Sequence, residues 1–195
     1  AYPLYGGMPG VGTLWVSDST LLSTQSWQME NLCVVNPASW SLTGFELTNN
    51  TLGFWGTNLR FTVSNDLAIR AGGHLIMGDG AELDCRGGLT LDEGGLLSAY
   101  GGITNDTTAA YAGVIGVTGS VTLAAGAWIQ VYSHPTNGGS PLFRMQSLTV
   151  ATNAGFTAQG RGFAGGLSRG NGYGPGRGQG DIAGNAKVGG DMGGW

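Results

Sequence analysis

The sequence predicts an all-β chain whose central part, from about Leu32 to Ala158, forms an irregular parallel β-solenoid. The first observation is composition: only 10% of the residues are charged, against roughly 25% in ordinary soluble domains, and 39 of the 195 residues are glycine. Strong helix formers are scarce, and Lys187 is the only lysine. We therefore expect short strands joined by glycine-containing turns, with almost no helix.

The second observation is an internal repeat of alternating apolar residues. Each copy has apolar residues at offsets 0 and 2, a small residue at offset 6, and apolar residues again at offsets 8 and 10. The copies begin at Leu32, Leu67, Leu89, Val121 and Leu148. Alternation with period two is typical of a strand with one buried face, so each copy predicts a strand, a three-residue corner and a second strand.

The spacing of the copies is the third observation. The last four copies begin 22, 32 and 27 residues apart, and loops at 100–119 and 133–147 explain the uneven intervals. A unit of this length buries its apolar face against neighbouring units, which favours a stack of parallel strands. We assign residues 1–31 to an N-terminal segment and cap, 32–158 to the solenoid, and 159–195 to a Gly-rich, non-helical extension.

Two runs of the repeat resemble a known group of proteins. Segment 89–102, Leu-Thr-Leu-Asp-Glu-Gly-Gly-Leu-Leu-Ser-Ala-Tyr-Gly-Gly, and segment 121–131 look like coils of right-handed parallel β-helix proteins, which include pectin-lyase-like enzymes and autotransporter passengers. The run from Gly160 is similar to Gly-rich surface proteins of bacteria. The resemblance implies a β-helix fold and says little about function. An N-terminus at Ala1 with no apolar leader is consistent with a processed, secreted protein.

Five acidic residues within fifteen positions are the candidate for a metal site: Asp79, Glu82, Asp84, Asp92 and Glu93. If two turns stack, their oxygens could converge on Ca²⁺, which takes six to eight such ligands. The polysaccharide lyases that the fold resembles use carboxylate-bound Ca²⁺ with a basic residue, which would be Arg86 or Arg70 here. Solvated acids in turns are the simpler interpretation, because the spacing does not match an Asp-rich calcium loop. We expect no cofactor, with Ca²⁺ as the alternative.

The sequence gives no sign of an enzyme. His74 falls at an outward-facing offset and His134 lies in a Ser-His-Pro loop, and neither belongs to a nucleophile-elbow or His-Glu-x-x-His motif. The alternative function is that of a carbohydrate-active β-helix that binds or cleaves an acidic polysaccharide around 79–93. Cys33 and Cys85 fit either one disulfide or two buried thiols.

Charge and hydropathy limit the partners. The net charge of −4 disfavours nucleic acid, and no apolar run is long enough to predict a membrane span. Four of the six tryptophans, Trp15, Trp27, Trp40 and Trp55, lie near the N-terminus, where they either cap the stack or contact sugar rings.

We expect an extracellular structural protein, a self-assembling subunit of a surface filament, sheath or adhesive layer. Its partner would be another copy of the chain, and a surface polysaccharide is a second candidate. A head-to-tail contact through 159–195 would join the copies, because glycine lets backbones approach closely. The expected interface residues are Trp128, Arg161, Phe163, Arg169, Tyr173, Arg177 and Trp195.

Overall fold

The computed structural model describes residues 12–16, 18, 20, 32–35, 38–55, 59–103, 113–165 and 171–173. This part of the chain is almost entirely β, with fifteen strands and no α-helix. The strands are β1 (Gly12–Trp15), β2 (Leu32–Val35), β3 (Ser39–Leu42), β4 (Phe45–Leu47), β5 (Thr51–Trp55), β6 (Arg60–Val63), β7 (Leu67–Ile69), β8 (His74–Met77), β9 (Glu82–Cys85), β10 (Leu89–Leu91), β11 (Leu96–Tyr100), β12 (Val114–Leu123), β13 (Trp128–Tyr132), β14 (Leu142–Val150) and β15 (Gly155–Thr157).

The strands form two parallel sheets. One has seven strands in the order β1-β2-β5-β8-β11-β13-β15. The other has eight, in the order β3-β6-β9-β12-β10-β7-β4, with β14 paired along β12. The first half of β12 pairs with β9 and the second half with β10, so this strand joins two series of short strands. Every pairing between the described strands is parallel, which confirms the predicted pairing mode and the all-β composition.

Apolar side chains of the two sheets share one core, in which they are arranged in columns that cross the strands. In the seven-stranded sheet, one column consists of Leu32, Leu52, Leu75, Leu97, Ile129 and Phe156. In the eight-stranded sheet, another consists of Phe45, Leu67, Leu89, Val121 and Leu148. Because side chains alternate between the faces of a strand, this register keeps the apolar side chains of these columns on the core side.

A residue with positive φ recurs at the corner that comes after each strand of the second column. These residues are Asn49, Gly72, Gly94, Gly126 and Asn153, with φ between 52° and 77°. At Gly72 the turn closes with a hydrogen bond from Gly73 N–H to Arg70 O, 2.7 Å long. Glycine and asparagine tolerate this left-handed conformation, so they fit the third position of such a turn. The corners predicted at 71–72, 93–94, 125–126 and 152–153 therefore lie where the chain turns.

The predicted β-solenoid, or β-helix, is wrong as a description of this fold. The described strands form two separate open sheets, and no strand ladder closes one sheet onto the other. The repeat template contains two strands per copy, but the chain has a third alternating pair between the copies, such as Leu83 and Cys85 in β9. This third strand joins the eight-stranded sheet, which also contains the first strand of each copy at Leu67 and Leu89. The fold is therefore an all-β arrangement of two parallel sheets.

One further expectation changes at the N-terminal side. The copy predicted at Leu32 has the wrong frame, because β2 pairs with β5 in the seven-stranded sheet, whereas the strands at Leu67 and Leu89 belong to the other sheet. Part of the segment assigned to a cap, β1, is a regular strand paired with β2. In the proposed extension, the structure describes only 159–165 and 171–173, and these residues contain no helix.

The column of Leu67, Leu89 and Leu148 provides a matched test of the core. Leu89 is 1% exposed and Leu148 is 44% exposed. We expect Leu89→Ala to lower the free energy of unfolding by about 2–5 kcal/mol, as for other buried leucines. Leu148→Ala should cost less than half as much, because about half of its side chain already contacts solvent. Urea denaturation of both variants measures the difference, and equal losses would contradict the described register.

Candidate functional site

A partly buried polar network lies on the outer face of the seven-stranded sheet. His74 Nε2 and Ser98 Oγ are 2.9 Å apart, Ser98 Oγ donates to Gln130 Oε1 at 3.3 Å, and Tyr132 OH donates to the same oxygen at 2.9 Å. These residues come from β8, β11 and β13, which are adjacent in the sheet. Sequence reasoning placed His74 on the outer face correctly but missed Ser98 and Gln130, although Ser98 and Gln130 occupy the same offset of successive copies.

The hydrogen bonds determine what this network can do chemically. Because the amide oxygen of Gln130 only accepts, the Ser98 proton is directed to Gln130, and His74 Nε2–H then donates to Ser98. Burial lowers the pKa of His74 to about 4, so its ring is neutral at pH 7. A histidine that donates to the serine does not act as its general base. The geometry of the His74–Ser98 pair is therefore that of a structural hydrogen bond. Ser98 is also only 1% exposed, so its hydroxyl group is largely covered from solvent.

A row of aromatic rings runs beside this network. Trp55 and Tyr100 have ring centroids 5.2 Å apart, and Tyr100 stacks on Tyr132 at 4.1 Å with an interplanar angle of 9°. The guanidinium of Arg161 lies 4.8 Å from the Tyr132 ring centre, in a cation–π contact. Arg161, an expected interface residue, is thus held against the sheet by its own chain. The Trp55 ring also covers Gly78, whose missing side chain leaves room for it.

The candidate calcium ligands lie on different elements. Arg60 contacts Glu82 at 3.8 Å and Asp84 at 3.1 Å, and Arg86 lies 3.7 Å from Asp84. These cations neutralise the carboxylates that a metal would need.

The other three acids do not join them. Arg70 binds Asp92 at 2.7 Å, and Glu93 is exposed at the next corner. Asp79 lies in the turn before β9, where burial raises the pKa of its carboxyl group. Among the described residues, no three His, Cys, Asp or Glu side chains are placed to hold a metal ion. The expectation of no cofactor, with Ca²⁺ as its alternative, stays a prediction.

The two cysteines are both buried and are not joined to each other. Cys33 lies in β2 and Cys85 in β9, both are buried, and no disulfide joins them. Burial raises the pKa of the Cys85 thiol, whose Sγ donates to the carbonyl oxygens of Asn65 and Gly88. No helix in the described part of the chain is long and apolar enough to cross a membrane.

The expected interface residues are scattered. Trp128 is 39% exposed on β13, and Tyr173 is 43% exposed in the Gly-rich segment. The Phe163 ring packs directly over Gly138. Arg169, Arg177 and Trp195 lie outside the described residues.

The early tryptophans also differ in their surroundings. Trp40 and Trp55 are buried, and Trp40 packs on Phe54 and Phe61. Trp15 is 66% exposed on β1. Trp27 lies outside the part of the chain that the structure describes.

Apolar side chains are exposed at the end of the sheets formed by β14 and β15, which we call the open end. Leu148 and Val150 are each 44% exposed and Phe156 is 39% exposed, whereas Val121, Leu123 and Ile129, which precede them in the same columns, are at most 1% exposed. Phe143 and Phe156 are in edge-to-face contact at 5.2 Å. The sequence predicted these residues as core, because its pattern does not reveal which copy is the last.

Comparison of this chain with family models, curated proteins and solved structures finds no match. The resemblance to right-handed parallel β-helix proteins therefore has no independent support.

His74, which is partly buried, predicts that the free energy of unfolding depends on pH. The folded pKa of His74, about 4, lies below the ordinary value of 6.5, so the unfolded chain binds more protons between these values. The contribution is fully present above pH 6.5 and is lost as the pH falls toward 4. We expect urea unfolding of the native protein to show roughly 2 kcal/mol more loss between pH 7 and pH 4.5 than His74→Gln. Equal losses in both proteins would refute this assignment.

Proposed function

We propose that this chain is an extracellular structural protein, a subunit that associates with copies of itself in a surface filament, sheath or adhesive layer. The observation that carries the proposal is the open end. There the apolar columns reach solvent in Leu148, Val150 and Phe156, although the same columns are buried in the preceding strands. Full burial of such a side chain contributes roughly 1.5–3 kcal/mol, so association that covers them is favourable.

The arrangement of the polar groups supports the same conclusion. Arginines on the outer face of the eight-stranded sheet pair with acids, as Arg60 does with Asp84 and Arg70 with Asp92. The partly buried His74 and the buried Ser98 are hydrogen-bonded to each other. These contacts favour a role in shape and packing over one in catalysis. The alternative, an acidic-polysaccharide site around 79–93, is not favoured, because arginines already bind three of its five carboxylates, those of Glu82, Asp84 and Asp92.

The low charge of the chain favours association further. Net charge is −4 over 195 residues, so copies repel each other weakly. The Gly-rich segment 159–195 remains a proposed contact region. In its described part, Arg161 packs on Tyr132 of β13, Phe163 packs on Gly138 in the loop after β13, and Tyr173 is exposed.

The proposal predicts that the purified chain self-associates through the open end. We expect sedimentation velocity to show larger species as the concentration rises, and electron microscopy to show ordered assemblies. Leu148→Lys should raise the concentration needed for association at least tenfold, because it places a charge where apolar surface must be buried.

Thr122→Lys is the matched control. It adds the same charge one strand away, at an exposed position of the sheet's outer face, and should associate like the native chain. Far-ultraviolet circular dichroism confirms that both variants are folded. A native chain that stays monomeric at millimolar concentration would refute the proposed function.

A further inference from the structure

Strand β14 has a second edge that none of the described strands covers. It pairs with β12 along one edge, and no other described strand pairs with it. It is nine residues long, contains a single charged residue, Arg144, and has no proline. A long strand edge of this kind is a template for pairing with another chain.

The hydrogen bonds to β12 show which backbone groups of β14 are open. Leu142 N–H donates to Gly113 O at 2.8 Å, and beyond the other end of the strand Ala151 N–H donates to Leu123 O at 2.9 Å. Successive residues of a strand direct their backbone groups to opposite edges. Counting from these two bonds, the residues that direct their N–H and C=O groups to this second edge are Phe143, Met145, Leu148 and Val150.

The sequence of β14 has the same pattern in both directions. Residues 143–150, Phe-Arg-Met-Gln-Ser-Leu-Thr-Val, read apolar, polar, apolar, polar and then polar, apolar, polar, apolar. The structure explains the central pair of polar residues, because the register of β14 with β12 shifts between Met145 and Ser147. The apolar residues on both sides of the shift oppose core residues of β12, so they share one face.

We propose that β14 pairs antiparallel with β14 of a second copy, about a two-fold axis between Gln146 and Ser147. This inference rests on the proposed self-association and names its contact surface. Phe143 would oppose Val150 of the second copy, and Met145 would oppose Leu148. In an antiparallel ladder, two opposed residues whose backbone N–H and C=O groups point toward each other exchange two hydrogen bonds. All four open backbone positions of β14 therefore find partners in the second copy.

The same axis suits the side chains. Apolar residues oppose apolar residues on the core face, which covers the row that is exposed in the single chain. On the outer face, Arg144 opposes Thr149 of the second copy and not the second Arg144, so no like charges meet. An isologous contact with this pattern is closed, and it produces a dimer.

A head-to-tail contact fits this end less well. The first strands of the eight-stranded sheet, β3 and β4, already bury their apolar side chains. The relevant exposures are 2% for Trp40, 1% for Leu42, 6% for Phe45 and 4% for Leu47. These two strands therefore offer little apolar surface to the open end. A filament built from such dimers would need another contact, for which the Gly-rich segment 159–195 remains available.

Disulfide trapping tests the proposed register. Opposed residues that do not exchange hydrogen bonds have Cα atoms about 4.5 Å apart, which a disulfide can span. Under mild oxidation of the full chain, a mixture of Arg144→Cys and Thr149→Cys should give a cross-linked dimer. Each variant alone should remain largely uncross-linked, because neither residue opposes itself. The native chain, with Cys33 and Cys85 buried, is the control.

Charge provides a second readout that needs no cysteine. Thr149→Glu would face Arg144 twice in each dimer, so we expect the dimer dissociation constant to fall about tenfold. Thr149→Lys should raise it by a similar factor. Thr90→Glu, two strands further from the edge in the same column, should change it less than twofold.

The outcomes separate this inference from the proposed function. A native chain that is monomeric at all concentrations would overturn both. Association of the native chain without a cross-link in the mixture, and with equal affinities for Thr149→Glu and Thr149→Lys, would overturn the two-fold β14 contact alone. A cross-link in the mixture together with opposite shifts for the two charges supports it.

Discussion

Register across the strands is the constraint on which the rest of this structure depends. A slip of one residue would turn the apolar side chains of a strand away from the core. Each strand must therefore pair with its neighbours in a register that keeps these side chains on the core side. The corner residues with positive φ, such as Gly72 and Asn153, meet this requirement by returning the chain at a fixed point after each strand. One consequence is a row of threonines in register on the outer face of the eight-stranded sheet: Thr90, Thr122 and Thr149.

The same stacking governs the polar chemistry. Side chains on the same face of neighbouring strands are close enough to bond. Arg60 therefore contacts Glu82 opposite it and Asp84 two residues further on, and His74 reaches Ser98, which lies diagonally across on the next strand. Polar groups that satisfy each other are costly to separate and are poorly placed to act on a ligand. New contacts are most favourable where the stacking stops, at β14, which has a neighbour along one edge only in the described part of the chain.

The sequence was sufficient to predict the β class, the parallel pairing and the corners at Gly72, Gly94 and Gly126, because alternation and glycine position are local signals. It did not predict the sheet order, since the template had two strands where the chain has three. It also missed β4, because the corner after Leu47 is one residue shorter than the corner after Ile69. The exposure of Leu148 depends on whether another strand packs beyond β14, and a local pattern does not contain that information.

The open end also bears on how the molecule loses its structure. Leu148 and Val150 rest on Val121 and Leu123, which repeat the same apolar pattern on the preceding strand. If β14 frays, it uncovers an edge of the same kind, so unfolding can advance strand by strand from this side. Any contact that holds β14 in place slows the first step of that sequence. The lifetime of the folded chain would then increase with its own concentration.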